Sequence, residues 1–252
     1  MKLRIVSIPN LIEFLKKLKV VDRSVLLELN TTKLFSKIHT ADKSVMKSVS
    51  IPVDQVFEGN ITTGSADRVK VGMIDITKFI DCFKNFKPSE SVHIEIVHTS
   101  VDTDEVATSL KVYTDSVKIS FHCADLGLLS YVDDNILGMV HDKEGSSGFF
   151  RLYNSDFESI DSLCDLENNS EELLEFSLTE NTVVASGHSF EYKLNISNSD
   201  IKLNNGPCTF SMYKKQLGYV DLEQTSVYIH DNRLIFSSDV KPSTIAIGLI
   251  NK

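Results

Sequence analysis

The chain has 252 residues, 42% hydrophobic and 24% charged, with a formal net charge of −9. That length holds one large domain or two ordinary ones, and the composition excludes a disordered chain. The acidic balance argues against a protein that holds nucleic acid by bulk charge alone.

At the N-terminus Met1-Lys2-Leu3-Arg4 runs straight into Ile5-Val6-Ser7-Ile8-Pro9, with no long apolar core of a signal segment. The stretch Leu3–Ser7 precedes the first helix. Ser7 is a suitable N-cap, Pro9 suits a first turn, and Leu11, Phe14, Leu15 and Leu18 form one apolar stripe. At 100° per residue Lys16 and Lys17 point away from that stripe, with Lys19 at its flank. Three alternating segments follow, Ser24–Leu29, Lys33–Thr40 and Ser44–Val53, joined by short polar turns. After the loop Gly59–Ala66 and a strand at Val69–Ile74, Asp75 or Thr77 opens a second helix. Its apolar face is Ile76, Phe79, Cys82, Phe83 and Phe86; Lys78, Lys84 and Asn85 lie opposite, Lys87 follows, and Pro88 ends it. Strands resume at Val92–Val97, Ser109–Thr114 and Val117–Ala124.

Residues Asp125 to Gly148 lack periodicity and are rich in Asp, Asn, Gly and Ser, the composition of a connector. Strand Phe149–Tyr153 then leads into a helix with Phe157, Ile160, Leu163 and Cys164 on one face. Strands are expected at Leu173–Thr179, Thr182–Ser186 and Phe190–Leu194, then a stunted helix at Asn198–Leu203 stopped by Asn204-Asn205-Gly206-Pro207. Four alternating runs complete the chain: Thr209–Lys214, Leu217–Leu222, Val227–Ile235 and Thr244–Ile250. The last is the longest apolar run and is only strand-sized, so no membrane span is expected.

The block of helix, three strands, short helix and further strands therefore occurs twice. The first copy starts at Ser7-Ile8-Pro9-Asn10 and the second at Tyr153-Asn154-Ser155-Asp156. This predicts an α+β protein with domains at 1–124 and 149–252 and a connector at 125–148, helices lying on one face of antiparallel sheets. The charge is divided unevenly. Residues 1–124 carry 17 Lys+Arg against 15 Asp+Glu, net +2, and residues 125–252 carry 9 against 20, net −11.

Two such copies, with basic residues outside both first-copy helices, resemble the DNA sliding clamp family, nearest in kind to the T-even-phage type. The matching stretches are Ser7–Val20, Val71–Ile96, Phe149–Leu166 and Phe190–Tyr213, with Ser226–Ile250 as a terminal hairpin and strand. The resemblance implies two tandem clamp-type domains per subunit and a homotrimer closed around duplex DNA. It implies a soluble processivity factor for a DNA polymerase, placed on DNA by a clamp loader, in the cytoplasm of an infected host cell. Helices line the hole, so Lys16, Lys17, Lys19, Lys78, Lys84, Lys87 and Lys202 are the expected DNA-facing residues, touching phosphates without reading sequence. The connector and the last strand border a pocket for a short hydrophobic partner peptide, which places Leu126, Leu128 and Ile250 there. Subunits of such rings join by pairing strand edges, and Ser109–Thr114 and Thr182–Ser186 are the candidate edges. The departure is the second-copy helix, which shows Glu158, Asp161, Ser162 and Asp165 where a DNA-lining helix shows lysines.

Nothing in the sequence supports catalysis, a metal or a cofactor. Asp102-Thr103-Asp104-Glu105 lacks the Gly and the terminal Glu of a calcium loop and reads as a solvated hairpin. No H-E-x-x-H, G-x-S-x-G, P-loop or G-x-G-x-x-G is present. Cys82, Cys123, Cys164 and Cys208 are far apart and read as reduced, buried thiols. The bland account of the lysines is a solvated helix face. The two competing functions are a clamp-fold accessory factor for viral transcription or replication that does not encircle DNA, and a β-rich viral structural protein.

Overall fold

A computed structural model describes residues 1–63, 66–87, 89–129, 131–132, 141–166, 173–220, 225–238 and 243–249. The chain divides into two units, Met1–Ala41 with Ser48–Val132, and Asp42–Lys47 with Asp133–Lys252.

The first unit contains β1 (Lys2–Ile5), α1 (Ile8–Lys19), β2 (Val25–Leu29), β3 (Lys33–His39), β5 (Phe57–Glu58), β6 (Val69–Met73), α2 (Ile76–Cys82), β7 (His93–Val101), β8 (Asp104–Tyr113) and β9 (Lys118–His122). It also holds most of β4 (Val45–Pro52), whose residues up to Lys47 belong to the second unit. Its strands run in the order β4-β3-β2-β6-β8-β7-β1-β5, with β9 beside β8. Period-2 alternation turns Val25, Leu27 and Leu29 of β2, Val69, Val71 and Met73 of β6, and Ile94 and Ile96 of β7 toward one face. The stripes of α1 and α2 close that face. Leu11, Phe14, Leu15 and Leu18 are all buried, as are Ile76, Phe79, Cys82, Phe83 and Phe86. Burying each such side chain contributes about 1.5–3 kcal/mol, so this one face accounts for most of the unit's cohesion. The Phe79 ring meets Phe83 and Phe121 in T-shaped contacts, with centroids 5.3 and 5.4 Å apart.

The second unit contains β10 (Gly148–Leu152), α3 (Asn154–Leu166), β11 (Leu173–Leu178), β12 (Val183–Ser186), β13 (Glu191–Lys193), β14 (Ile201–Leu203), β15 (Cys208–Tyr213), a 3-10 helix at Lys214–Tyr219, β16 (Thr225–Ile229), β17 (Arg233–Ser238) and β18 (Ser243–Gly248). One sheet runs β14-β10-β16-β17-β18 and another β13-β12-β11-β15. Phe150, Phe176 and Phe210 stack between them, Phe176 and Phe210 at 5.3 Å.

The duplication holds pairing by pairing. β1 lies between β5 and β7 as β10 lies between β14 and β16. β2 lies between β3 and β6 as β11 lies between β12 and β15. β7, β8 and β9 run as a meander, as do β16, β17 and β18. One pairing breaks the likeness. β6 and β8 pair in parallel at Val69–Glu105 and Lys70–Val106, and no counterpart is described between β15 and β17.

Several sequence expectations are corrected. Asn198–Leu203 is not a stunted helix. After a 3-10 turn at Asn198–Asp200, residues Ile201–Leu203 form β14 against β10. The real counterpart of α2 is Lys214–Tyr219, where the strand expected at Leu217–Leu222 was to begin; residues 221–222 lie outside the described residues. Val227–Ile235 is a hairpin, turning where His230 N donates to Arg233 O. The Asp102 turn is a hairpin as expected, with Asp102 at φ 53°, but Glu105 is not solvated. It accepts from Ser100 Oγ at 2.6 Å and pairs with His98 Nδ1 at 2.9 Å, and these bonds hold its carboxyl below the usual range. The cysteines are free thiols, and burial pushes Cys82 up to about 12. Among the described residues no helix is long and apolar enough to cross a membrane, and no group of three metal-ligating side chains converges.

Candidate nucleic-acid interface

α1 starts where the sequence places it, because Ser7 Oγ accepts from Asn10 N at 3.3 Å and Pro9 stands in the first turn. Lys16, Lys17 and Lys19 fill its last turn, where positive charge complements the free carbonyls of a helix C-terminus. Lys16 and Lys19 are exposed and Lys17 is half-buried. α2 is capped by Asp75, whose Oδ1 accepts from Thr77 N at 3.0 Å. Lys78, Lys84 and Lys87 are exposed on or just beyond it. Pro88 lies outside the described residues.

The two helices pack side by side and bring part of the lysine set together. Lys84 Nζ bonds Asp81 Oδ1 at 2.6 Å. Lys84 foremost, with a smaller contribution from Lys19 on α1, holds the Asp81 carboxyl below its ordinary range. A pair this exposed adds little stability, so Asp81 dilutes the basic face without anchoring it. Lys202 is not part of that group. It is exposed on β14 opposite Phe149, on an edge strand rather than on a helix.

Two lysines escaped the sequence reading. Lys214 and Lys215 open the 3-10 helix that stands where α2 stands in the first unit. Lys214 is only 6% exposed, with Nζ 6.0 Å from the centre of the Phe190 ring, while Lys215 is exposed with Nζ 5.2 Å from Tyr213. Gln216 Oε1 accepting from Tyr213 N at 2.8 Å is the local signal that a strand stops there and a turn of helix starts.

α3 has the opposite character. Phe157 and Ile160 are buried, Leu163 and Cys164 are half-buried, and Glu158, Asp161, Ser162 and Asp165 are exposed. Asp161 has its carboxyl pushed up by partial burial and by Asp165 one turn on. Asp156, also in this helix, is fully buried; its Oδ1 accepts from Tyr192 OH at 3.0 Å and Asn195 N at 2.9 Å.

The connector begins as a strap on the first unit. Ala124 N donates to Gly72 O at 2.9 Å and Val132 N to Lys37 O at 3.1 Å. A Cβ on Gly72 would stand 2.6 Å from Ala124 O and 2.9 Å from Leu129 Cδ1, so only glycine lets the strap lie this close. Gly72→Val is therefore expected to lift residues 124–129 and cost about 1–3 kcal/mol, read as a lower midpoint of chemical denaturation. An unchanged midpoint would contradict the close approach. Between the two tethers Asp125 Oδ1 caps a 3-10 turn, Leu126–Leu128, by accepting from Gly127 N at 2.9 Å. Leu126 is half-buried and Leu128 is 73% exposed. Ile250, the third residue expected at the peptide pocket, lies outside the described residues.

A duplicated unit with this strand order and with helices on one face of its sheets is the sliding-clamp fold. No family model matches the sequence, and no curated protein matches it. Solved structures share the fold along the whole chain. Proliferating Cellular Nuclear Antigen from Entamoeba histolytica is 13% identical, with 99% of this chain and 98% of that chain covered and a TM-score of 0.69. The PCNA of A. fulgidus, solved with the C-terminal region of FEN-1 bound, is 13% identical over 100% of this chain and 99% of that one, TM-score 0.68. The H. pylori β clamp, in complex with 5-chloroisatin, is 16% identical over 100% of this chain and 64% of its own, TM-score 0.67.

Proposed function

We propose that this chain is a sliding clamp: a non-enzymatic processivity factor that closes as a homotrimer around duplex DNA and tethers a DNA polymerase. The observation that carries the reading is the set of exposed lysines on α1 and α2, on the side of each helix away from the core, in a clamp fold. A closed ring keeps its grip by topology, so the lysines need only soften the phosphate field while the ring moves. A tight or base-reading contact would stop it. On this reading a clamp loader places the ring on DNA, as expected of a T-even-phage-type clamp in an infected cell.

The partner surface on this reading is the connector turn with Leu126 and Leu128. An exposed leucine held on a capped 3-10 turn is unfavourable in water and favourable under a partner's apolar side chain. A short segment like the one bound to the A. fulgidus protein is the kind of occupant proposed. Leu128→Ser is expected to leave the thermal midpoint within about a degree and to weaken the polymerase by about tenfold. Undiminished polymerase stimulation would move the partner surface elsewhere.

The overall test is a mass in solution combined with a polymerase extension assay on primed DNA. A trimer that lengthens the products supports the ring. A second reading, an accessory factor that does not encircle DNA, draws on the acidic face of α3 and would be favoured by a monomer of 28.2 kDa with no effect on extension.

A further inference from the structure

Helices α1 and α3 occupy the same place in their units, each following the strand that lies between β5 and β7, or between β14 and β16. Counted from the first helical residue, Lys16 and Lys19 of α1 stand where α3 has Ser162 and Asp165. Glu158, Asp161 and Asp165 all reach solvent. From this substitution of charge, we propose that α3 is a phosphate-repelling wall, so that each copy offers duplex DNA only the α1–α2 face of its first unit. The inference rests on the clamp reading and deepens it by dividing the DNA path between the two units.

The energetics of the helix argue against a merely solvated face. Negative charge near a helix C-terminus opposes the macrodipole, and α3 carries Asp165 in its last turn with no basic residue there. Asp161 and Asp165 are four residues apart on one face, a like-charged spacing that destabilises a helix. The carboxyl of Asp161 is raised first by its partial burial and second by the charge of Asp165. Its sign is that of a charge the fold resists: the native state prefers the protonated form, so the ionised form lowers stability at pH 7.

The basic group that acts on α3 does not cancel the wall. Lys214 acts on the Cys164 thiol, but its side chain is 6% exposed and lies against Phe190. Lys215 is exposed at the start of the 3-10 helix that holds α2's place, a single positive charge against the three carboxylates of α3. The consequence for motion is direct. Fewer simultaneous phosphate contacts per turn of the ring lower the barrier to sliding and leave affinity less dependent on salt.

The test compares two variants with the parent protein, binding a labelled duplex of about 30 base pairs over a salt series. Glu158→Gln/Asp161→Asn/Asp165→Asn should melt at the same or higher temperature and bind about threefold to tenfold tighter at low salt, the gain fading as salt screens it. Lys16→Gln/Lys84→Gln should bind weaker. If the lysine variant weakens binding and the acid variant binds no tighter, the wall is overturned and the clamp reading stands. If neither variant changes binding, the clamp reading falls and the wall falls with it.

Discussion

Replacing Lys16, Lys17 and Lys84 by Glu should abolish most of the processivity proposed for this protein while leaving it folded. None of the three belongs to the buried stripe of its helix, which consists of Leu11, Phe14, Leu15 and Leu18 in α1 and of Ile76, Phe79, Cys82 and Phe83 around α2. The folded state loses favourable charge at the end of α1, from exposed Lys16 and half-buried Lys17, and the exposed Lys84–Asp81 pair, so the thermal midpoint should fall by a few degrees at most. The effect on DNA is much larger. Each reversal changes the face by two charges, and losing one phosphate contact lowers the salt slope by about one unit. At low salt the triple variant should load poorly or leave primed DNA early; near physiological salt, with a screening length of about 8 Å, the deficit should narrow. Extension assays with parent and variant across a salt series measure it. Undiminished product length at every salt concentration, from a variant that folds and assembles, would reduce these lysines to a solvated face and leave the non-encircling reading the better one.

The helices were the most legible part of the fold because their signals are local. The 3.6-residue stripe of α1, the Ser7 cap and the Asp75 cap each involve side chains within one or two turns, and the structure reproduces them. Strands β2, β3 and β6 were legible for the same reason, by alternation between polar turns. The duplication followed from the order of these elements and needed no sequence identity.

The misses are non-local. Two-residue β5 and three-residue β14 exist because β1 and β10 offer them unpaired edges, and no pattern of period 2 can be read from so few residues. Once Ile201–Leu203 is a strand, the counterpart of α2 has to come later, and Lys214–Tyr219 takes the place. That shift moved Lys202 off a helix and brought in Lys215. Glu105 read as solvated because the sequence does not show that a neighbouring strand brings His98 and Ser100 to it. Strand edges are the least legible of all, since whether a strand is flanked on one side or two depends on the whole sheet. The expected edges were wrong for this reason: Ser109–Thr114 falls largely in β8, which pairs with β6, β7 and β9, and Thr182–Ser186 falls in β12, which pairs with β11 and β13.

Among the edges that the described sheets present are β9 in the first unit and β13 in the second, and a proline in either should break the proposed trimer. Thr114 N donates to Val117 O and Cys123 N to Thr108 O, so the odd-numbered residues of β9 bond β8. Lys118, Ser120 and His122 then direct their backbone groups away from β8. In β13, Gly187 N donates to Phe190 O and Leu194 N to Val183 O, which leaves the backbone groups of Glu191 and Lys193 directed away from β12. Such rows favour a partner strand, and pairing β9 of one copy with β13 of the next satisfies both. Within the second unit β18, which holds the place β9 holds in the first, has its outer side occupied at Gly248, whose N donates to Ser44 O at 2.9 Å. Ser120→Pro removes a donor that β8 does not use and puts a ring on the outward side, so the unit should keep its fold. Each interface should weaken by on the order of tenfold or more, enough to open a ring that closes through all of its interfaces at once. Light scattering at micromolar concentration should show the parent protein at three times the 28.2 kDa of one chain and Ser120→Pro near one chain. Ser120→Ala, which keeps the donor, should remain trimeric. A parent protein that is already monomeric would sink the ring, whereas a trimer untouched by Ser120→Pro would mean that the copies meet along surfaces other than β9.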